Sequence, residues 1–277
     1  MNDTATAAPT VATLQVPGAR LHYEVRGRGP LVVLVGAPMG ATSFAPLADL
    51  LTPDHTVLTT DPRGSSRSPV NDPAWDSTPE MRADDLSRLL TQLDAGPAAV
   101  MGSSGGAVSA LALVQAHPEQ VHTVVAHEPP LVELLDDRER LHAQTEDIVA
   151  TYFTGDVKEA WAQFLAQAGL TLPEAVFEEM FGGERDPREV ADQDFWFAHE
   201  MRATTHWAPD VAALRDGPTR VVVGLGEESG GQLCDRTSTA LAAALDTEPA
   251  AFPGGHTGFV EDPDGFAPRL RAVLRER

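Results

Sequence analysis

Short apolar runs alternate with amphipathic stretches along most of the chain. A run of about four to eight apolar residues bounded by Gly, Pro or Asp is typical of a β-strand, whereas apolar residues three or four positions apart are typical of a helix. This criterion predicts strands at 31–35, 57–60, 98–101, 123–126, 220–223 and 249–252. Two alternating segments on either side of a Pro-Gly turn, 13–16 and 21–25, predict a hairpin of two further strands. The same criterion predicts helices between and after the strands at 44–51, 79–93, 107–116, 232–245 and 263–274. The alternation predicts an α/β fold with a mostly parallel sheet covered by helices on both faces.

The strand pattern is absent between about residues 131 and 208. Four charged amphipathic segments occupy this stretch, at 134–153, 156–168, 172–180 and 188–201. We interpret 131–208 as a helical insertion in an α/β core formed by 11–130 and 209–277, with a loose tail at 1–10. The insertion is either structural or a lid over a site at the carboxyl ends of the strands, where open parallel sheets bind ligands. We favour the lid.

Composition and charge narrow the class of protein. The chain has 277 residues, of which 42% are hydrophobic, so it can bury a core, and disordered and fibrous classes are excluded. Its 41 Asp and Glu against 20 Lys and Arg give a formal net charge of −21. Because this charge repels phosphate backbones and anionic membranes, we expect a small-molecule substrate and neither nucleic acid nor membrane as a partner. The oligomeric state is not predicted.

The sequence also limits location and cofactors. The single Cys234 can form neither an intramolecular disulfide nor a multi-thiolate metal site, which fits a reducing compartment. The N-terminal residues lack the pattern of a signal peptide, and no apolar run approaches the ~18–20 residues of a membrane span, so we expect a cytoplasmic protein. Metal-site spacings such as H-E-x-x-H do not occur, and 224–226 is too short for a dinucleotide fingerprint. We therefore expect no cofactor and no metal.

The strongest local motif is Gly-Ser-Ser-Gly-Gly at 102–106, directly between a predicted strand and a predicted helix. It matches G-x-S-x-G with Ser104 at its centre. A serine on a sharp strand-to-helix turn has a strained backbone, and small neighbours avoid clashes with both elements. The N-terminus of the following helix also presents N–H groups to negative charge developing beside Ser104. A plain glycine-rich turn is the alternative, but the placement favours a nucleophile.

Three further motifs carry a resemblance to the α/β-hydrolase superfamily that runs nearly end to end. Val-Gly-Ala-Pro at 35–38 stands where the family usually has His-Gly-x-x after its third strand. Asp-Pro-Arg-Gly-Ser-Ser-Arg-Ser at 61–68 is similar to the family's D-x-R-G-x-G-x-S loop, and Gly-Gly-His at 254–256 follows the last strand. Val35 replaces the His of the family motif, and we expect this difference to change how the loop after the third strand is held more than it changes the chemistry.

This resemblance implies the α/β-hydrolase fold, with a mostly parallel eight-stranded sheet flanked by helices and with a helical cap. It also implies an oxyanion hole formed by the N–H groups of Ala37 and Gly105. Two backbone donors aimed at a tetrahedral oxyanion lower the barrier by about 3 kcal/mol each in comparable sites.

A serine needs a base within hydrogen-bond reach, and the chain offers nine histidines. Six lie in predicted helices, an early strand or loops without a neighbouring glycine turn, and are interpreted as surface or core residues: His22, His55, His117, His142, His199 and His206. His122 opens a predicted strand, and His127 ends it at the catalytic edge of the sheet, which makes His127 a candidate pocket residue. His256 follows two glycines just past the last strand, on the same edge as Ser104, and we assign it as general base and later general acid.

The third member of a triad orients and stabilises the imidazole. The family usually places it after the strand at 220–223, but Ser229 stands where an Asp is expected, leaving Glu227 and Glu228 as candidates there. Glu128 ends the strand that follows the nucleophile helix, where haloalkane dehalogenases and related hydrolases place their acid. The two prolines after Glu128 would restrict its backbone more than the flexible loop restricts Glu227 and Glu228. We favour Glu128, with a purely structural role as the other interpretation.

Ser104 in place of an Asp nucleophile disfavours dehalogenase and epoxide hydrolase chemistry. The residues support an acyl-serine hydrolase acting on a carboxylic ester, lactone or thioester of a small apolar molecule. Aromatic residues concentrate at 194–199 and 206–207 in a chain with only 6% aromatics, which suggests that Trp196 and Trp207, with Met39 and His127, line a substrate pocket. Lid packing is the other interpretation of these aromatics. A cyclase, perhydrolase or C–C hydrolase, and a ligand receptor on the same fold, remain alternative functions.

Overall fold

The computed structural model describes residues 8–183 and 186–276. Its strands are β1 Thr10–Val16, β2 Ala19–Gly27, β3 Leu31–Val35, β4 Thr56–Thr60, β5 Ala98–Ser103, β6 Val121–His127, β7 Arg220–Gly226 and β8 Ala250–Phe252. They form one eight-stranded sheet in the order β1-β2-β4-β3-β5-β6-β7-β8. β2 pairs antiparallel with both β1 and β4, while the six strands β3 to β8 run parallel to one another. The predicted fold class, α/β with a mostly parallel eight-stranded sheet, is confirmed.

The described α-helices cover both faces of this sheet and the stretch between β6 and β7. They are α1 Ala41–Leu51, α2 Pro79–Leu93, α3 Gly105–Ala116, α4 Arg138–Phe153, α5 Val157–Ala168, α6 Glu174–Phe181, α7 Pro187–Phe195, α8 Met201–Thr205, α9 Val211–Asp216, α10 Leu233–Ala244, α11 Gly258–Glu261 and α12 Pro263–Arg275. In the described part of the chain, none of them is long and apolar enough to cross a membrane. The short helices α9 and α11 were not predicted, because four to six residues are too few to show a helical period.

Two apolar clusters hold the helices on the sheet. On one face, residues of α2, α3 and α10, such as Leu89, Leu111 and Leu241, pack on the sheet. On the other, α1, α11 and α12 contribute Phe44, Phe259, Leu270 and their neighbours. The strands between these layers read as unbroken apolar runs because they are buried on both faces.

The predicted tail at 1–10 lies mostly outside the described residues. Its last residue, Thr10, already pairs with Val25 in the first hairpin, so the strand begins three residues before the predicted start. The helix predicted at 134–153 also begins at a different residue from the one expected. A 3₁₀ turn at Val132–Leu134 precedes α4, which begins only at Arg138.

In the part of the insertion that the structure describes, 131–183 and 186–208, there are five α-helices, α4 to α8, and the last two are joined by a π-helical turn at Trp196–Glu200. These helices have an apolar cluster of their own, which includes Tyr152, Trp196 and Phe197. They contact the 61–68 loop closely: a Cβ on Gly64 would lie 2.0 Å from the Phe195 ring. Whether this insertion acts as a lid stays a prediction.

Candidate active site

Ser104 lies on the sharp turn between β5 and α3. Its backbone has φ 55° and ψ −124°, a conformation that costs energy for a residue with a side chain. The turn leaves no room for larger neighbours, since a Cβ on Gly106 would lie 2.2 Å from the Val35 carbonyl oxygen and one on Gly102 2.4 Å from that of Gly106. The Ser104 N–H donates to the carbonyl of His127 on β6 (2.9 Å). The glycines thus hold the turn that carries Ser104.

Glu128 and His256 form a hydrogen-bonded pair at the carboxyl ends of β6 and β8. His256 Nδ1 lies 2.6 Å from Glu128 Oε2, and the Gly226 N–H donates to the other carboxylate oxygen (2.8 Å). The Glu128 side chain is fully buried, whereas that of His256 is 19% exposed. Because an ionised carboxylate only accepts hydrogen bonds, Nδ1 carries the proton and Nε2 of the neutral ring is left as an acceptor.

Electrostatics keep this carboxylate ionised. Burial alone would raise the pKa of Glu128, but the hydrogen bond from His256, the charge on His127 and His256 when protonated, and the Ser229 hydroxyl outweigh it and lower the pKa to about 2. Ser229, which occupies the family's usual Asp position, therefore lies beside the carboxylate that the sequence analysis favoured. Glu227 and Glu228 are exposed. The structure thus joins His256 to Glu128 and directs neither of the rival side chains into the core.

The predicted oxyanion donors lie next to each other. A Cβ on Gly105 would be 2.6 Å from the Ala37 carbonyl oxygen and 3.2 Å from the Ala37 Cβ, so the loop after β3 contacts the first turn of α3. The Gly105 N–H is at the first helical position, where an amide has no intrahelical acceptor. Ala37 and Gly105 therefore lie close together beside Ser104, and an oxyanion hole formed by their N–H groups stays a prediction.

The 61–68 loop supports the loop after β3. Asp61 is buried, and its carboxylate accepts from the Ala41 N–H (2.7 Å) at the start of α1. The same carboxylate pairs with the Arg67 guanidinium (2.7 Å), and these donors hold the pKa of Asp61 low although burial alone would raise it. This motif therefore fixes the entry to α1 and the loop that carries Ala37.

Three of the four predicted pocket residues, Met39, Trp196 and Trp207, make packing contacts in the structure. Met39 is half-buried in the loop after β3 and packs on one of the two sheet cores. Trp196 packs inside the insertion, stacked on Trp161 (centroids 5.4 Å apart), and Trp207 is buried with its Nε1 donating to Glu80 Oε1 (2.8 Å). Both tryptophans thus form packing contacts of the insertion and its junction, which is the alternative interpretation of the aromatic cluster.

His127 belongs to the core beneath the site and not to the pocket predicted for it. Its ring is fully buried and makes edge contacts with Phe252, Phe259 and Phe266, and its Nδ1 lies 3.4 Å from Ser103 Oγ. Burial disfavours the charged imidazolium and lowers the pKa of His127 to about 4.

This buried histidine predicts an acid loss of stability. In the unfolded chain His127 takes up a proton below about pH 6.5, whereas in the folded protein it does so only below about pH 4. The free energy of unfolding should therefore fall as the pH drops from 6.5 to 4, by up to about 3 kcal/mol, and lose nothing more from this group at lower pH. Urea denaturation across this range should show a shallower pH dependence for His127→Phe; equal slopes in the two proteins would contradict the assignment.

Two features near the Glu128–His256 pair and the Ser104 turn were missed by the sequence analysis. Cys234, at the second residue of α10, has its sulfur within 4.8 Å of a carboxylate oxygen of Glu128 and a ring nitrogen of His256. No local pattern could have signalled this contact, because the three residues are far apart in the chain.

The second missed feature is a buried arginine behind the turn that carries Ser104. Arg82 Nε on α2 donates to Ser109 Oγ (2.8 Å), and that hydroxyl donates to the Gly105 carbonyl (3.0 Å). The same guanidinium donates to Thr204 Oγ1 of α8 (2.8 Å). Arg82 therefore links the insertion to the first turn of α3.

Comparison with known proteins agrees with this geometry. The model of a family described as the alpha/beta hydrolase family matches residues 31–269. The uncharacterized hydrolase YraK of Bacillus subtilis is 34% identical over 95% of this chain and 96% of its own length. A zearalenone hydrolase of Bionectria ochroleuca is 28% identical over 93% of this chain and 95% of its own.

Among solved structures, a hydrolase from Pseudomonas aeruginosa PA01 superposes with a TM-score of 0.72 at 20% identity, covering 96% of this chain and 99% of that one. At this identity the superposition speaks for the fold alone. The family match and the similarity to YraK both extend over most of the chain and include the Ser104 turn, Glu128 and His256. The chain therefore belongs to the alpha/beta hydrolase family, as a hydrolase built on that fold.

Proposed function

We propose that this chain is a cofactor-independent serine hydrolase that cleaves a carboxylic ester, lactone or thioester of a small apolar molecule. The observation that carries the proposal is the 2.6 Å hydrogen bond between His256 Nδ1 and the buried Glu128 carboxylate, at the sheet edge that also presents Ser104. An imidazole held in one tautomer by a carboxylate, beside a serine on a strained turn, is the arrangement that activates a serine hydroxyl.

In the first half of the reaction, Ser104 Oγ bonds to the substrate carbonyl carbon while its proton passes to Nε2 of His256. The oxygen of the tetrahedral adduct accepts hydrogen bonds from the N–H groups of Ala37 and Gly105, each worth about 3 kcal/mol in comparable sites. The bond to the leaving group then breaks, and His256 gives its proton to the departing alcohol or thiol. The product is an acyl ester on Ser104.

In the second half, a water molecule gives a proton to His256 and attacks the acyl carbon. The adduct collapses, the proton returns to Ser104 Oγ, and the carboxylic acid leaves. Glu128 stays ionised throughout, since its pKa is lowered to about 2, and it stabilises the imidazolium that forms in each half.

The proposed substrate class has two sources, the similarity to a known hydrolase and the residues of the loop after β3. Hydrolysis of an organic substrate is supported by the similarity to the zearalenone hydrolase, which covers nearly the whole chain. The buried positions of Trp196 and Trp207 remove two of the residues that suggested an apolar pocket, and leave the half-buried Met39 of the loop after β3. An apolar acyl or alcohol group is therefore proposed from the loop after β3 and not from the aromatic residues of the insertion.

Turnover of a substrate panel tests this function. The panel consists of p-nitrophenyl acetate, butyrate and octanoate, an acyl thioester, simple lactones and zearalenone, assayed without added cofactor. We expect saturable hydrolysis of at least one ester, lactone or thioester. A protein that is folded but cleaves none of them would contradict the proposal, and cleavage of a C–C bond or perhydrolysis in the same preparation would replace it with the corresponding activity.

The proposal also predicts the pH dependence of the reaction. Burial opposes protonation of His256, but the adjacent Cys234 sulfur and the Glu128 carboxylate outweigh it and raise the pKa of His256 above its ordinary 6.5. Because the base must be neutral, kcat/KM should rise with pH through a midpoint above 6.5. Cys234→Ser should shift this midpoint to lower pH, and Glu227→Gln should leave it in place. A wild-type midpoint at or below pH 6.5 would contradict a raised pKa of His256.

A further inference from the structure

Cys234 lies where a third ligand would complete a metal site on the Glu128–His256 pair. Its sulfur, a Glu128 carboxylate oxygen and a His256 nitrogen all lie within 4.8 Å of one another. The position of the cysteine is well fixed, because Thr237 on the next turn of α10 donates to the Pro129 carbonyl (2.7 Å). Cys234 and His256 are each half-buried, and Glu128 is fully buried. The three donors therefore come together at the partly accessible rim of the candidate active site.

Sulfur, imidazole nitrogen and carboxylate oxygen form a donor set that suits Zn²⁺. Zinc binds these atoms at about 2.0–2.3 Å in a tetrahedron, which separates the ligand atoms by roughly 3.3–3.7 Å. In the structure His256 Nδ1 and Glu128 Oε2 are 2.6 Å apart, and the three donor atoms all lie within 4.8 Å of one another, so the donors are already close enough to share one cation. Three protein ligands also leave a fourth position for water, as in open zinc sites.

We propose that Glu128, Cys234 and His256 bind a borderline-soft divalent cation such as Zn²⁺ and that this binding switches off the hydrolase. The inference rests on the proposed function, because it assigns regulation to the same site. Zinc acts here as an inhibitor that competes with the catalytic arrangement, and the metal-free enzyme is the active form.

Binding removes the general base whichever ring nitrogen is used. Coordination through Nε2 occupies the lone pair that accepts the Ser104 proton. Coordination through Nδ1 displaces the hydrogen bond to Glu128 and leaves the ring proton on Nε2, which can then accept nothing. In both cases the Cys234 thiol bonds to the metal as a thiolate and releases its proton to solvent. No electron transfer is involved, so a chelator that removes the metal restores the enzyme.

The donor set also predicts which cations act. A thiolate selects zinc, cobalt and softer ions, whereas Mg²⁺ prefers oxygen ligands and keeps its waters. The chain carries 41 Asp and Glu, so weak binding of any divalent cation to exposed carboxylates is the competing explanation for inhibition. Selectivity for zinc over magnesium and dependence on Cys234 distinguish the two.

The inhibition experiment uses the full chain and the best substrate of the panel, at a pH on the activity plateau of each variant. ZnCl₂ is expected to abolish wild-type turnover, EDTA to restore it, and MgCl₂ at equal concentration to have no effect. Cys234→Ser should hydrolyse the substrate but need at least about tenfold more ZnCl₂, since changes even outside the ligand shell cost about 10–100-fold in affinity. Glu227→Gln, an exposed acid of the adjacent loop, is the matched control and should behave as wild type. Equal zinc sensitivity of Cys234→Ser and wild type would overturn the proposal.

A spectroscopic readout separates this inference from the proposed function. Titration with CoCl₂ should give wild type and Ser104→Ala the near-ultraviolet absorption of thiolate-to-cobalt charge transfer, which Cys234→Ser should lack. The cobalt spectrum of Ser104→Ala does not depend on hydrolysis, so it tests the metal site even if no substrate of the panel is cleaved. If folded wild-type protein binds no cobalt through sulfur, the metal site is refuted while the hydrolase proposal stands.

Discussion

Replacement of Ser104 by Ala is expected to lower kcat/KM by about 10⁶-fold, because the variant cannot form the acyl intermediate and retains only substrate binding and the oxyanion donors. The fold should be unchanged, since Ser104 has no side-chain capping bond to α3 and the alanine keeps the same backbone turn. The measurement is steady-state hydrolysis of the best substrate, with thermal unfolding as a check on the fold.

Ser103 is the matched control for this substitution. It precedes the nucleophile on the same turn, but its side chain is fully buried and lies 3.4 Å from His127 Nδ1, on the core side of the sheet edge. Ser103→Ala should keep activity within a few-fold of wild type. Full activity in Ser104→Ala, or loss of activity only in Ser103→Ala, would refute Ser104 as nucleophile.

The second large effect is expected for Glu128→Gln. The amide keeps the shape of the carboxylate, but it carries no charge to stabilise the imidazolium and its NH₂ group favours the wrong tautomer of His256. A comparable Asp-to-Asn change in a serine protease triad costs about 10⁴-fold in kcat, and we expect a loss of that order here, mainly in kcat. Steady-state kinetics that separate kcat from KM provide the test.

Glu227→Gln and Glu228→Gln are the controls for the triad acid. Both side chains are exposed in the loop after β7, the family's more usual location for the acid, and each variant should retain wild-type kcat. A wild-type kcat in Glu128→Gln together with a large loss in Glu228→Gln would move the acid to that loop.

The sheet could be predicted from the sequence because its strands are short apolar runs ended by Gly, Pro or Asp. The turn around Ser104 could be predicted as well, since the requirement for small residues at 102, 105 and 106 is a local steric property of the chain. Position at the end of a strand also picked Glu128 out of 41 acidic residues. Each of these signals lies within about ten residues of sequence.

Contacts between distant segments could not be predicted. Nothing local shows that Gly226 N–H would bond to Glu128, that Cys234 would reach the same carboxylate, or that Arg82 would support the turn of Gly105. All of these depend on how helices and loops pack after the sheet has formed. The local sequence pattern predicts where the strands end, whereas the contacts between side chains at those ends depend on tertiary packing.

Two of the predicted pocket residues, His127 and Trp196, were placed wrongly for different physical reasons. His127 is the last residue of β6 and packs its ring against Phe252 in the core, whereas Glu128 follows the strand with a left-handed backbone (φ 52°) and directs its carboxylate to His256. Trp196 was expected to line a pocket, yet an insertion of five short helices has to build an apolar core of its own, and the aromatic residues of that segment are used for it.

The central claim, that Ser104 forms a covalent intermediate supported by His256 and Glu128, is tested most directly by trapping that intermediate. The protein is treated with a fluorophosphonate, digested, and analysed by mass spectrometry, with Ser104→Ala alongside. We predict one phosphonyl group per chain, located on Ser104, formed in parallel with loss of esterase activity and absent from the variant. Protein that hydrolyses an ester but stays unlabelled, or is labelled at another residue while losing activity, would contradict the account.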